Sequence, residues 1–233
     1  MDPISSNWPT SFLATVPAVV WDTRGMATPS KSLSMAVIAI ALVAGIGAAL
    51  LAHHPRELVL ATGTYISPSR ELPDFSLIDQ HGHPFGSANL RGHWSMMFFG
   101  YTNCTDFCPT TMTLLAQLSK HLRAAGAAAR PQVIFMTVDA QRDTPAQLAK
   151  YVPYFDPEFI GITAATQPAI EAVAAKFGVA VIITHRADGS YTVDHSGAIF
   201  VVNPDGRLAA ILTGPFTEKG LQADFERVVA GHA

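Results

Sequence analysis

The sequence predicts an α/β domain with a mixed sheet, preceded by one transmembrane helix. Three observations carry that prediction. Apolar runs of strand length alternate with segments whose apolar residues recur at i, i+3, i+4 and i+7, the spacing of one helix face. Near the C-terminus two apolar runs follow one another across Asn203-Pro204-Asp205-Gly206, a turn that pairs them antiparallel. Residues 33–52 are twenty residues without a charge, which matches the roughly 20 needed to span about 30 Å of hydrocarbon.

Composition narrows the function. The net charge is −3 and the basic residues form no stripe, so nucleic acid is excluded as the expected partner. Residues 1–32 lack periodicity, are rich in Ser, Thr and Pro, and are expected to be disordered. A signal peptide competes with the anchor reading of residues 33–52. Its only passable cleavage site is Gly47-Ala48-Ala49. Arg24 and Lys31 before the span balance Arg56 and Arg70 after it, so charge does not set the orientation. Residues 53–71, with His53, His54, Gly63 and Pro68, read as a linker, and the folded domain is expected over 72–233.

Within that domain Phe75, Leu77 and the turn His81-Gly82 predict a short hairpin, with His81 and His83 as surface turn residues. Met96-Met97-Phe98-Phe99 needs no alternation if it is a strand covered on both faces. Gly100 ends it. After Pro109, Met112, Leu115, Leu118 and Leu122 predict a helix to about residue 125. Residues 133–138 form the next apolar strand. Asp143 or Thr144 then caps a helix opened by Pro145 and lined by Leu148, Tyr151, Val152 and Phe155. Residues 159–162 read as a strand. Pro168 opens a helix lined by Ile170, Val173, Ala174 and Phe177. Residues 179–184 and 191–193 flank Asp188-Gly189 as a hairpin. The last helix follows Thr217, with Leu221, Phe225, Val228 and Val229 inward.

The chemistry concentrates in Tyr101-Thr102-Asn103-Cys104-Thr105-Asp106-Phe107-Cys108-Pro109, which holds the only two cysteines. Pro109 fits the first turn of a helix, where its missing N–H costs nothing. Cys108 therefore sits at a helix mouth and Cys104 on the loop before it. The positive end of the helix dipole is expected to lower the thiol pKa values there. Two such thiolates can form a disulfide, exchange with one, or hold a soft metal. A purely structural disulfide over so short a loop gains only about 2 kcal/mol, and a domain with its own core does not need it. Met96, Met97, Met112 and Met136 are thioethers in reach of the same sequence region, and core packing accounts for them.

This stretch resembles the T-x-C-P-D-x-C-P signature of the Sco/SenC family, with Thr105 in place of the first Pro. Val138-Asp139-Ala140-Gln141-Arg142-Asp143-Thr144-Pro145 is similar to the family's V-D-P-x-R-D-T-P, with Ala140 in place of Pro. Asp194-His195-Ser196 resembles its histidine-bearing segment. The resemblance runs from about residue 72 to 229. It implies a thioredoxin-like fold with an extra N-terminal β-hairpin, anchored in the inner membrane and facing the periplasm. It implies copper held by Cys104, Cys108 and His195, and delivery of that copper to subunit II of cytochrome c oxidase, with a copper donor chaperone upstream. Thiolates suit Cu(I), and the imidazole also tolerates Cu(II). Structural zinc takes four protein ligands, and no fourth is evident. The alternative is a thiol–disulfide reductase that keeps the target's copper-ligand cysteines reduced. The CxxxC spacing departs from the CxxC of thioredoxins and favours metal. Asp139 ends a strand on the ligand side of such sheets; tuning the metal site, a partner contact, and bracing the loop with Arg142 are all open roles for it.

Overall fold

The computed structural model describes Met35, residues 40–47 and residues 58–232. The expected disorder at 1–32 lies outside the described residues. So does most of the expected span at 33–52. Residues 40–47 are helical, and among the described residues no helix is long and apolar enough to cross a membrane.

The folded domain carries ten strands and four helices longer than one turn: β1 (Gly63–Glu71), β2 (Ser76–Asp79), β3 (Pro84–Gly86), β4 (Trp94–Gly100), α1 (Phe107–Ala124), β5 (Pro131–Thr137), α2 (Pro145–Phe155), β6 (Ile160–Thr163), α3 (Gln167–Lys176), β7 (Val181–His185), β8 (Tyr191–His195), β9 (Ile199–Val202), β10 (Arg207–Leu212) and α4 (Glu218–His232). Eight strands form one mixed sheet in the order β1-β10-β9-β4-β5-β6-β2-β3, and β7 and β8 form a separate hairpin. The parallel pairs are β4 with β5 and β5 with β6; the others are antiparallel. The expected α/β class, mixed sheet and early hairpin are present.

Strand β4 is central, and every residue in it is buried. Its side chains divide by parity, as a strand's must. Met96 and Phe98 pack with Val133 and Phe135 of β5 against Met112, Leu115 and Leu118 of α1 and Phe225 of α4. Met97 and Phe99 pack on the other face, with Ile134, Met136, Ile170 and Phe177. A strand sandwiched this way reads as an unbroken apolar run because both faces need apolar residues. All four methionines singled out above are fully buried in these two cores.

The linker reading of 53–71 needs correction over its second half. Gly63–Glu71 is β1, paired with β10 from Gly63↔Leu212 to Glu71↔Arg207, with an irregularity between Tyr65 and Arg70. Ser67-Pro68-Ser69 reads as a loop in sequence because proline cannot donate to a ladder. At a sheet edge, beside a bulge, that loss is tolerated. The segment is also held by polar contacts. Asp224 of α4, itself buried, accepts the N–H groups of Ala61 (2.7 Å) and Thr62 (2.8 Å) and the Thr62 hydroxyl (2.6 Å). Leu60 is buried in the core.

Candidate metal centre

The centre lies where β4 ends. Gly100 closes the strand, a turn follows in which Cys104 N–H donates to the Tyr101 carbonyl (3.2 Å), and α1 begins at Phe107. Cys108 is fully buried, and Cys104 is half-exposed. Both thiols are free. The Cys104 sulfur accepts the backbone N–H of Cys108 at 3.3 Å. It thereby takes up one of the orphan donors of the helix start, while Asp106, at the N-cap position, makes no side-chain cap bond. Gly100 is required for close approach: a Cβ there would stand 2.7 Å from the Phe135 ring, 3.0 Å from the Phe98 ring and 3.2 Å from the Cys108 sulfur.

His195, the last residue of β8, brings its Nε2 to 3.7 Å from the Cys108 sulfur. Its Nδ1 lies 3.0 Å from the Ser196 carbonyl oxygen. A carbonyl can only accept, so Nδ1 carries the proton and Nε2 presents a lone pair toward the thiol. This is the tautomer a metal needs. Burial lowers the imidazole pKa, opposed by the Ser196 carbonyl and Asp194, so His195 is neutral at pH 7. Tyr101 stands edge-on to its ring at 5.8 Å.

The sequence-level expectation for the thiols fails at Cys108. Burial pushes this thiol far above the ordinary cysteine range, and the nearby Cys104 and Asp143 add to the rise. The helix-end position is real, but desolvation of a sulfur walled in by apolar core outweighs a dipole effect that is worth about 1 kcal/mol at an exposed site. Among the described residues no three His, Cys, Asp or Glu side chains already form a closed metal cage. Cys108 is the residue that both other expected ligands contact, Cys104 through its backbone N–H and His195 through its sulfur.

Two carboxylates hold this arrangement, and they divide the labour differently from the sequence reading. Thr144 caps α2, accepting the Gln147 N–H at 3.3 Å. Asp143 is turned inward instead. It accepts the Thr102 N–H (2.9 Å), the Thr102 hydroxyl (2.6 Å) and the Thr137 hydroxyl (2.6 Å), pinning the cysteine loop to the end of β5. Asp and Thr are both good caps, so local sequence could not tell them apart. Asp139 pairs with Arg142 and accepts the Tyr191 hydroxyl at 2.7 Å. Arg142 stacks over Tyr191 at 3.9 Å and lies 5.6 Å from the centre of Tyr101. The loop-bracing role of Asp139 is thus the one its contacts describe: it ties β5 to the hairpin that carries His195.

Asp143→Ala is expected to strand three donors and cost roughly 2–3 kcal/mol in urea unfolding. Asp143→Asn should recover most of that. Its carbonyl can accept the Thr102 N–H and the Thr137 hydroxyl, and burial already disfavours the charge, raising the Asp143 pKa. Equal losses for the two variants would contradict the assignment.

The rim of the centre is apolar. Phe107 is 45 % exposed and lies 6.4 Å from Phe216. A cavity of about 610 Å³ lies at the other end of the sheet, by Trp94 and Pro131, away from the cysteines.

Comparison with known proteins places these features in context. The family model SCO1/SenC matches residues 64–230. A SCO2-like protein of Rickettsia conorii is 35% identical over 177 residues, covering 73% of this chain and 85% of that protein. The mitochondrial SCO2 homolog of Mus musculus is 40% identical over 134 residues, covering 57% of this chain and 52% of the mouse protein. Among solved structures, Bradyrhizobium japonicum ScoI with copper bound is 33% identical, with a TM-score of 0.59 over 68% of this chain and 99% of that one. Arabidopsis thaliana ScoI with copper bound gives 28% identity and a TM-score of 0.64 over 68% and 97%.

Proposed function

The chain belongs to the SCO1/SenC family, and from that premise we propose that it binds copper through Cys104, Cys108 and His195 and delivers it to subunit II of cytochrome c oxidase during assembly. The observation that carries the reading is the His195 Nε2 lone pair aimed at the Cys108 sulfur, 3.7 Å away. Two sulfurs and one imidazole suit Cu(I) and also accept Cu(II), and they leave structural zinc one ligand short. Copper-bound ScoI structures of similar fold support the same cargo. The half-exposed Cys104 and the apolar rim of Phe107 and Phe216 suit transient contact with a partner protein, from a copper donor to the oxidase subunit. Residues 33–52 would anchor the domain, residues 53–59 would tether it, and the domain would face the periplasm from the inner membrane.

Protons report on the site. The Cys108 thiol is protonated at pH 7, because burial raises its pKa, so a metal must displace that proton. His195 is already neutral and releases none. Cu(I) titration in buffers of different ionisation enthalpy is expected to show at least one proton released per copper. Affinity should rise about tenfold per pH unit for each proton displaced. As pH falls, loss of the imidazole ligand should set in only below the ordinary histidine range, since the His195 pKa is lowered. No copper uptake by the reduced protein would end the proposal.

A second reading has one observation in its favour. Cys104 is accessible and Cys108 buried, the division of a nucleophilic and a resolving cysteine. In a reductase, Cys104 thiolate would attack a target disulfide, Cys108 would resolve the mixed disulfide, and the pair would leave oxidised as the target gains two electrons and two protons.

A further inference from the structure

At the edge of the sheet, separated from the cysteine-bearing end of β4 by β5 and β6, the turn joining β2 to β3 carries His81-Gly82-His83, which the function above does not use. β2 runs antiparallel to β6, with Asp79, its last residue, opposite Ile162, so the turn that follows heads toward the starting ends of the parallel strands. Gly82 has φ +82°, a conformation that suits glycine. It turns the chain tightly, with Gly82 N–H donating to the Asp79 carbonyl (3.0 Å) and Asp79 N–H to the His83 carbonyl (2.9 Å). Pro84 follows and restricts His83 to extended backbone. The outcome is two imidazoles on one side of a rigid turn, their ring centres 6.1 Å apart.

Asp79 organises both. Its Oδ1 accepts the N–H groups of His81 and His83, each at 2.8 Å. Its Oδ2 lies 3.4 Å from His83 Nδ1. A carboxylate beside Nδ1 fixes the proton there and leaves Nε2 as a free lone pair facing water. Metal-ligating histidines are commonly oriented in this way by an outer carboxylate. With metal–nitrogen bonds of about 2.0–2.1 Å, two imidazoles on one ion have ring centres roughly 5 Å apart. The rings therefore need to close by about 1 Å, which the His83 side chain, 76% exposed, can do by small rotations.

We infer that His81 and His83 form a second metal site, a surface chelate for a divalent first-row ion, with Cu(II) the ion it prefers. Imidazole suits Cu, Zn and Ni, and Cu(II) stands highest among divalent ions at nitrogen sites. Two protein ligands completed by water make a weak, labile site, unlike the thiolate centre, which favours Cu(I). The inference does not depend on the cysteine-centre reading.

The test uses the full chain in detergent with Cys104→Ser and Cys108→Ser together, so the thiol centre is silent. Copper(II) chloride is added below stoichiometry while histidine ring signals are followed by NMR. The paramagnetic ion is expected to erase the His81 and His83 signals first, ahead of His93, His121, His185 and His232. Zinc chloride should shift the same two rings without erasing them. His81→Ala should weaken binding at the turn at least tenfold, judged against loss of one chelating arm. Asp79→Asn keeps a carbonyl to accept the turn's N–H groups but loses the partner of Nδ1. It should weaken affinity on the order of tenfold while the turn's amide signals stay in place. Simultaneous broadening of all the surface histidines, or an unchanged affinity in His81→Ala, would overturn the site.

Discussion

Cys108→Ser is expected to lower Cu(I) affinity at least about a hundredfold while the domain stays folded. Four-ligand Cys/His zinc sites bind with roughly 10–16 kcal/mol, on the order of 3 kcal/mol per ligand. A Cu(I)–thiolate bond should be worth no less, and a hydroxyl is a poor ligand for so soft an ion. Serine is smaller than cysteine and fits the space between Gly100 and α1. Its hydroxyl would face His195 Nε2, which lies 3.7 Å from the Cys108 sulfur, and a small shift of the ring would bring the two within hydrogen-bond range. Cys104→Ser should behave alike, because the serine oxygen can still accept the Cys108 N–H that the sulfur accepts now. The helix keeps its start in both variants, so lost copper reports a lost ligand. Equal copper content in wild type and either variant, with unchanged near-UV circular dichroism, would remove the thiolates from the metal site.

His195→Ala is the second large effect and separates the two readings of the cysteines. The imidazole is supplied by β8, far in sequence from the cysteine loop, and Asp139, Arg142 and Tyr191 help brace that hairpin against the end of β5. Without it two thiolates remain, able to hold Cu(I) linearly but poor at supporting Cu(II). Cu(II) binding should weaken strongly and Cu(I) binding less, while reduction of a model disulfide should stay near normal. Exchange needs the sulfurs and not the ring. Cells carrying the variant should assemble the oxidase copper centre poorly when copper is limiting. Full oxidase activity under those conditions would favour the reductase reading.

Sequence and structure agree where the signal is local. The unbroken run in β4, the proline and apolar spacing of α1, and the turn at Asp205-Gly206 are each set by neighbours within a few residues. The sequence could also nominate His195, but only through resemblance, since nothing local links it to a loop so distant along the chain. Three features stayed hidden because they depend on long-range burial. Asp143 and Thr144 are equal candidates for a cap until Thr102 and Thr137 are seen to claim the first. The Cys108 thiol looks activated until Gly100, Phe98 and Phe135 are seen to wall it in. Asp224 reads as one polar position on the last helix until Ala61 and Thr62 arrive from the other end of the domain.

If residues 33–52 anchor the domain as proposed, that clasp by Asp224, with Leu60 already buried, would set the working radius of the proposed copper centre. A linker running to residue 71 would be about 19 residues and could pay out some 65 Å of chain. With the chain captured at Leu60, the leash from a span ending at residue 52 would be about seven residues, at most about 25 Å even if taut. A partner's metal site standing well above the bilayer would then be out of range, whatever its affinity. Exchange would be confined to a shell next to the lipid surface, where an acceptor must present its ligands low.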